Sequence, residues 1–156
     1  TRRELSKNLS LSWGCVSELV TMLIAEKVII EEGITNIGTY AFKDCCDLVE
    51  VSVPNSVTEI GKRAFEDCIS LIEMSIPESL TKISTGLFSG CSALKSIVIP
   101  DNIVEIAEYA FEECTSMTSV TIPESVQTIG DYAFTGCKSL VDIKIPENVK
   151  KINKGI

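Results

Sequence analysis

Residues 123–145 read PESVQTIGDYAFTGCKSLVDIKI, and residues 77–99 read PESLTKISTGLFSGCSALKSIVI. The two stretches have one length and keep proline, phenylalanine, cysteine and most apolar positions in one phase. Working outward, the phase holds over most of the chain. The prolines fall at Pro54, Pro77, Pro100, Pro123 and Pro146, and the phenylalanines at Phe42, Phe65, Phe88, Phe111 and Phe134. Cys45, Cys68, Cys91, Cys114 and Cys137 follow the same spacing of 23 residues without insertion. Apolar columns travel with them, among them Val51, Met74, Ile97, Val120 and Ile143, and then Ile37, Ile60, Ile83, Ile106, Ile129 and Ile152. A fixed period of this length is the signature of a solenoid or a repeat array.

Local chemistry alternates within each unit. Leu140-Val141-Asp142-Ile143-Lys144-Ile145 puts Ile143 and Ile145 on one side at period 2, as a short strand does. Pro146 lacks an amide hydrogen and ends that ladder. Asp131-Tyr132-Ala133-Phe134-Thr135-Gly136-Cys137 then buries Ala, Phe and Cys at i, i+1 and i+4, which predicts a short helical turn. A 23-residue unit cannot cover its own apolar edge, so neighbours must stack and share one core. The expected fold is an α/β solenoid, a right-handed superhelix with one short parallel strand per repeat, stacked phenylalanines and stacked cysteines.

The chain has 156 residues, 45% of them hydrophobic, with a net charge of −8. Residues 31–156 hold 19 Asp and Glu against 10 Lys and Arg. Nucleic acid demands the opposite charge and is excluded as a partner. Apolar runs fall short of a membrane span, so no membrane insertion by this segment is expected. Thr1 stands where an initiator methionine would, which points to a piece of a longer chain.

The pattern L-x-x-I-x-I-P-x-S-V-x-x-I-G-x-x-A-F-x-x-C resembles the leucine-rich repeats of the BspA-like family over residues 31–156. The resemblance implies a surface-displayed or secreted protein concerned with adhesion or host-protein binding. Upstream, Leu19, Met22, Ala25, Val28 and Ile30 keep a faded register, while Val16, Leu19, Val20, Leu23 and Ile24 fit a helical rhythm. Residues 1–26 are therefore expected to form an N-terminal helical cap, and residues 27–156 the leucine-rich repeat solenoid. The pattern breaks off at Ile156, within a repeat. An uncapped strand at Leu140–Ile145 would leave unpaired backbone there, a place for end-to-end self-association.

No residues suggest catalysis, a cofactor or a metal. The chain has no histidine, no CxxC and no phosphate-cradling glycine motif. Column cysteines read as small apolar packing, although stacked neighbours lie near enough for a disulfide by distance alone. Cys15 and Cys46 lie off the column. Acidic pairs such as Glu66-Asp67 and Glu112-Glu113 are expected on a solvated ridge. Ser56, Ser79, Asn102, Ser125 and Asn148 should form a ladder satisfying backbone groups.

The outward side of the strands remains. It carries Val49, Glu50 and Ser52; Ile72, Glu73 and Ser75; Lys95, Ser96 and Val98; Thr118, Ser119 and Thr121; Val141, Asp142 and Lys144. These vary while core positions do not, so they form the candidate protein-binding face. The other readings are a structural spacer, or an intracellular scaffold in the cytoplasm suited to free thiols, that displays a domain outside this stretch.

Overall fold

The computed structural model describes residues 27–30, 32–152 and 154–155. Each 23-residue unit makes one rung, and every strand pair is parallel with a register offset of 23. One ladder holds β1 (Lys27–Ile29), β3 (Glu50–Ser52) and β5 (Glu73–Met74), followed by a separate pair, β7 (Ser96–Val98) and β9 (Ser119–Thr121). Val28 faces Val51, Val51 faces Met74, and Ile97 faces Val120.

A second ladder was not expected. It starts with β2 (Asn36–Ile37) paired to β4 (Glu59–Ile60). It resumes as β6 (Lys82–Ile83), β8 (Glu105–Ile106), β10 (Thr128–Ile129) and β11 (Lys151–Ile152). Each unit with a complete set therefore contributes two short strands, not one. Between them the chain turns at the proline. The amides of Val57, Leu80, Ile103, Val126 and Val149 each donate to the proline carbonyl three residues back at 3.1 Å.

The expected helical turn is the main correction. Among the described residues there is no helix, so the fold is a parallel β-solenoid and not α/β. A helix would spend its amides on carbonyls four residues back. Here the amides of Tyr40, Phe42 and Asp44 donate to the carbonyls of Lys62, Ala64 and Glu66 in the next unit, at 3.0, 2.7 and 2.9 Å. The same three bonds recur from Arg63, Phe65 and Asp67, and from Gly86, Phe88 and Gly90. Alternate amides can point outward because two residues per turn are left-handed. One column is Tyr40, Arg63, Gly86, Tyr109 and Tyr132, and the other is Asp44, Asp67, Gly90, Glu113 and Gly136, all with φ between 53° and 78°. Glycine adopts that conformation without penalty and Asp readily; for Tyr and Arg it is uncommon. Residues 1–26, where the helical cap is expected, lie outside the described residues. Residues 140–145, expected as the last strand, join neither ladder.

Stacking is as the period requires. The rings of Phe42, Phe65, Phe88, Phe111 and Phe134 lie parallel within 11°, with successive centroids 5.0, 5.9, 5.5 and 5.2 Å apart. All five are buried, together with the Leu48, Leu71, Leu94 and Met117 column and the inward strand residues.

Cysteine does more than fill space. The thiols of Cys68, Cys91, Cys114 and Cys137 donate to the carbonyls of Phe42, Phe65, Phe88 and Phe111 at 3.1–3.2 Å. Each thiol satisfies a buried carbonyl of the unit before it, a weak bond repeated at each step. The Ser/Asn column behaves as expected. Ser56 and Ser125 donate to the carbonyls of Ile34 and Ile103 at 2.8 and 2.7 Å, Ser79 to that of Val57, and Asn102 to those of Glu78 and Leu80. Asn148 donates to the Glu124 carbonyl at 3.0 Å.

Candidate interaction face

The first ladder places its inward residues in the core and turns alternate residues outward, as a pleated strand must. Ser52, Ile72, Glu73, Ser75, Lys95, Ser96 and Val98 are exposed, as are Thr118, Ser119, Thr121, Val141, Asp142 and Lys144. Val49 and Glu50 are half-buried. Glu50 stands opposite Glu73, and Ser96 opposite Ser119. Within the strands, Glu50, Ser52, Glu73, Ser96, Val98, Ser119 and Thr121 thus lie on the solvent side of β3, β5, β7 and β9, and Val49, Ile72, Lys95 and Thr118 flank them. Val141, Asp142 and Lys144 continue that phase beyond the last paired strand.

Apolar exposure on this side is uneven. Ile72 is 40% exposed, Val98 80% and Val141 94%. Around Val98 stand hydroxyls and one ammonium, while the carboxylates Glu50 and Glu73 sit toward the N-terminal end. A side chain exposed like Val98 gains nothing from folding, because its surface stays in water.

Another surface was not read from the sequence. Tyr109 and Tyr132 stack at 5.5 Å in the left-handed column, and the Lys43 ammonium lies 5.6 Å from the ring centre of Tyr40. Tyr40 is 43% exposed. The signal was present, since Tyr40, Tyr109 and Tyr132 share a phase. Beside them the expected solvated ridge is only partly solvated. Glu66 is buried, 2.7 Å from the Lys43 ammonium, and accepts a hydrogen bond from the Arg63 guanidinium. Ser89 in the same column is buried too, and its hydroxyl donates to Glu112 at 3.0 Å. At the first position of these pairs Glu66 and Ser89 are buried and Glu112 half-buried, while at the second Asp44 and Glu113 are exposed and Asp67 half-buried. Burial, then the charges of Glu66 and Asp44, raises the carboxyl pKa of Asp67.

Cys45, Cys46, Cys68, Cys91, Cys114 and Cys137 are free thiols, with Cys46 exposed. Burial pushes the Cys45 and Cys137 thiols up to about 11, and those of Cys68, Cys91 and Cys114 further. A thiol held neutral in this way is a poor nucleophile and a poor metal ligand.

The family model for the BspA type leucine rich repeat region matches six times, over residues 24–119 and 104–156. The chain belongs to the BspA-type leucine-rich repeat family. Its structure is similar to that of a leucine rich cell surface protein from Faecalibacterium prausnitzii A2-165, with 34% identity and a TM-score of 0.72 over 82% of this chain and 31% of that one. It is also similar to leucine-rich repeat proteins from Bacteroides ovatus (26% identity, TM-score 0.63, 83% of this chain and 45% of that one) and Eubacterium ventriosum (25%, 0.71, 81% and 40%). The chain spans less than half the length of each of these three proteins. Comparison with curated proteins gave no significant match. Repeat proteins of this family are typically non-catalytic scaffolds.

Proposed function

We propose that this BspA-type module binds another protein through the outward side of its first ladder, at a cell surface or in secreted form. The observation that carries the reading is the contrast within single strands. Ile97 is 5% exposed and its neighbour Val98 is 80% exposed. The inward positions stay apolar from unit to unit, whereas the outward ones change along the ladder, from Glu50 and Glu73 to Ser96 and Ser119 and from Ser52 and Ser75 to Val98 and Thr121. An exposed valine among hydroxyls offers a partner apolar area to bury, and its polar surround sets orientation. Surface display is supported by the cell surface protein from Faecalibacterium prausnitzii to which the chain is similar.

The test begins with a partner selected on the immobilised module, then compares charge insertions on the candidate face with one beside the second ladder. Val98→Lys with Val141→Lys should weaken binding at least about tenfold, the loss expected when a contact residue is replaced by an unpaired charge. Val104→Lys, an exposed position before β8 in the second ladder, should leave affinity within about twofold. Equal loss from both, or none from either, defeats the reading; the second result is what a spacer would give. Membrane-impermeant alkylation of Cys46 on intact source cells checks surface display. Labelling only after lysis contradicts it.

A further inference from the structure

Backbone bonds join units along the second ladder at all but one of the junctions among the described residues. The amides of Thr58 and Gly61 donate to the carbonyls of Thr35 and Ile37 at 2.9 and 2.8 Å. Those of Val104 and Ala107 donate to Thr81 and Ile83 at 2.9 and 3.0 Å, and those of Gln127 and Gly130 to Val104 and Ile106 at 2.9 and 2.8 Å. Between residues 58–61 and 81–84 neither bond forms. Instead the buried hydroxyl of Ser84 donates to the Ile60 carbonyl, and β4 and β6 do not pair with each other.

The break continues into the first ladder. There β5 pairs back to β3 but not forward to β7. The amide of Lys95 reaches the Ile72 carbonyl only at 3.4 Å, where its counterparts from Ile72 to Val49 and from Thr118 to Lys95 measure 3.0 Å. Phe65 and Phe88, the rings across this junction, are 5.9 Å apart, the widest step in the column. Thus β5 stays with the units before it and β6 with those after, and the seam crosses residues 75–81.

The small-residue column explains why the seam falls here. It reads Gly38, Gly61, Ser84, Ala107, Gly130. A Cβ added at Gly61 would lie 2.4 Å from the amide nitrogen of Thr39, and one at Gly130 2.4 Å from that of Glu108. Units meet here as closely as backbone allows. Ala107 shows that a methyl group can be accommodated with its amide bond kept at 3.0 Å. What Ser84 adds is a hydroxyl, and that hydroxyl takes the carbonyl that the amide takes elsewhere.

Across the same junction the turn side is intact. Arg63, Phe65 and Asp67 donate to the carbonyls of Thr85, Leu87 and Ser89 at 2.9, 3.1 and 2.8 Å. Two blocks fastened by a full set of bonds along one side and by fewer along the others have the geometry of a hinge. We propose that Ser84 builds an articulation into the solenoid, so that the block ending at β5 and the block beginning at β6 flex about the continuous turn side. Ile72 belongs to one block and Val98 to the other, so flexing changes their separation. The articulation stands whether or not the strand face binds anything.

Amide hydrogen exchange on the whole chain tests it. The amides of Thr81 and Ser84 should exchange at least about tenfold faster than those of Val104, Ala107, Gln127 and Gly130, because local opening there breaks fewer bonds. In Ser84→Ala the amide at 84 should slow to the rate of Ala107 and that of Thr81 should follow, while Arg63, Phe65 and Asp67 stay as they were. Equal rates at the two sets of amides in the unmodified chain overturn the proposal, as does a folded Ser84→Ala chain that exchanges as fast as before. Should that chain not fold, Ser84→Gly, the residue found at Gly61 and Gly130, takes its place with the same expected outcome.

Discussion

The turn side and the strand sides of the solenoid carry one repeat but hold it with different strictness. On the turn side the inter-unit amide bonds run from Tyr40 to Lys62 and onward to the bond from Tyr132 to Lys154. Under them lie the stacked phenylalanines and the thiol bonds. On the strand sides both ladders lapse across one diagonal. The difference follows from contact. A phenylalanine ring touches copies of itself above and below, so changing one unit mismatches two neighbours. An outward strand residue meets solvent and is free to differ.

Three changes probe that contrast. The largest effect is expected from Phe88→Ala, which removes a ring packed against Phe65 and Phe111. It should cost about 3–5 kcal/mol in a denaturant titration. An unmoved midpoint would show that the column is not what fastens the turn side.

Next comes alkali. Burial raises the thiol pKa of Cys68, Cys91 and Cys114 in the folded chain above the unfolded value. Unfolding above about pH 8.5 therefore releases protons that the fold retains, and stability falls as pH rises. Their contribution is complete below the unfolded pKa and is lost progressively above it. The slope of stability against pH should approach three protons per molecule from these thiols. Cys91→Ala should lower it by about one. A slope indifferent to Cys91→Ala would mean that the thiol is not held in its neutral form.

The smallest effect belongs to the strand exterior. Val98→Ser should change stability by no more than about 0.5 kcal/mol. Ile97→Ala, one residue earlier and facing inward, should cost about 2–5 kcal/mol. Similar losses at both positions would erase the distinction between the two faces of the strand.

The interior was the legible part of this chain. The columns of Phe42, Cys45, Leu48 and Val51 and their successors were readable because a stacked contact repeats its residue type. The Ser/Asn ladder was readable for the same reason. The turns were not, because Ala133, Phe134 and Cys137 at i, i+1 and i+4 have the spacing of one helical face. What overrides the helix is non-local, namely the carbonyls of the adjacent unit. Gly86, Gly90 and Gly136 marked the left-handed columns, yet Tyr and Arg at other levels of the first column hid them. The second ladder escaped notice because two residues such as Glu59-Ile60 are too few to display an alternation. For the candidate face, its outward placement could be read from the period-2 pattern. Which outward residues meet a partner could not, since a face that packs against nothing in its own chain leaves no internal pattern to read.

Stacking on either side of the seam also sets a scale. Successive units advance by about 5 Å, the spacing of adjacent strands, and the 23-residue spacing of the prolines admits no insertion. Within each block the molecule is in effect a ruler with evenly cut graduations. Lys95 and Val141 occupy the same mark two graduations apart on one side of the seam, so any rigid ligand bridging them must measure roughly 10 Å. Its length, more than its chemistry, would decide whether both ends find their places.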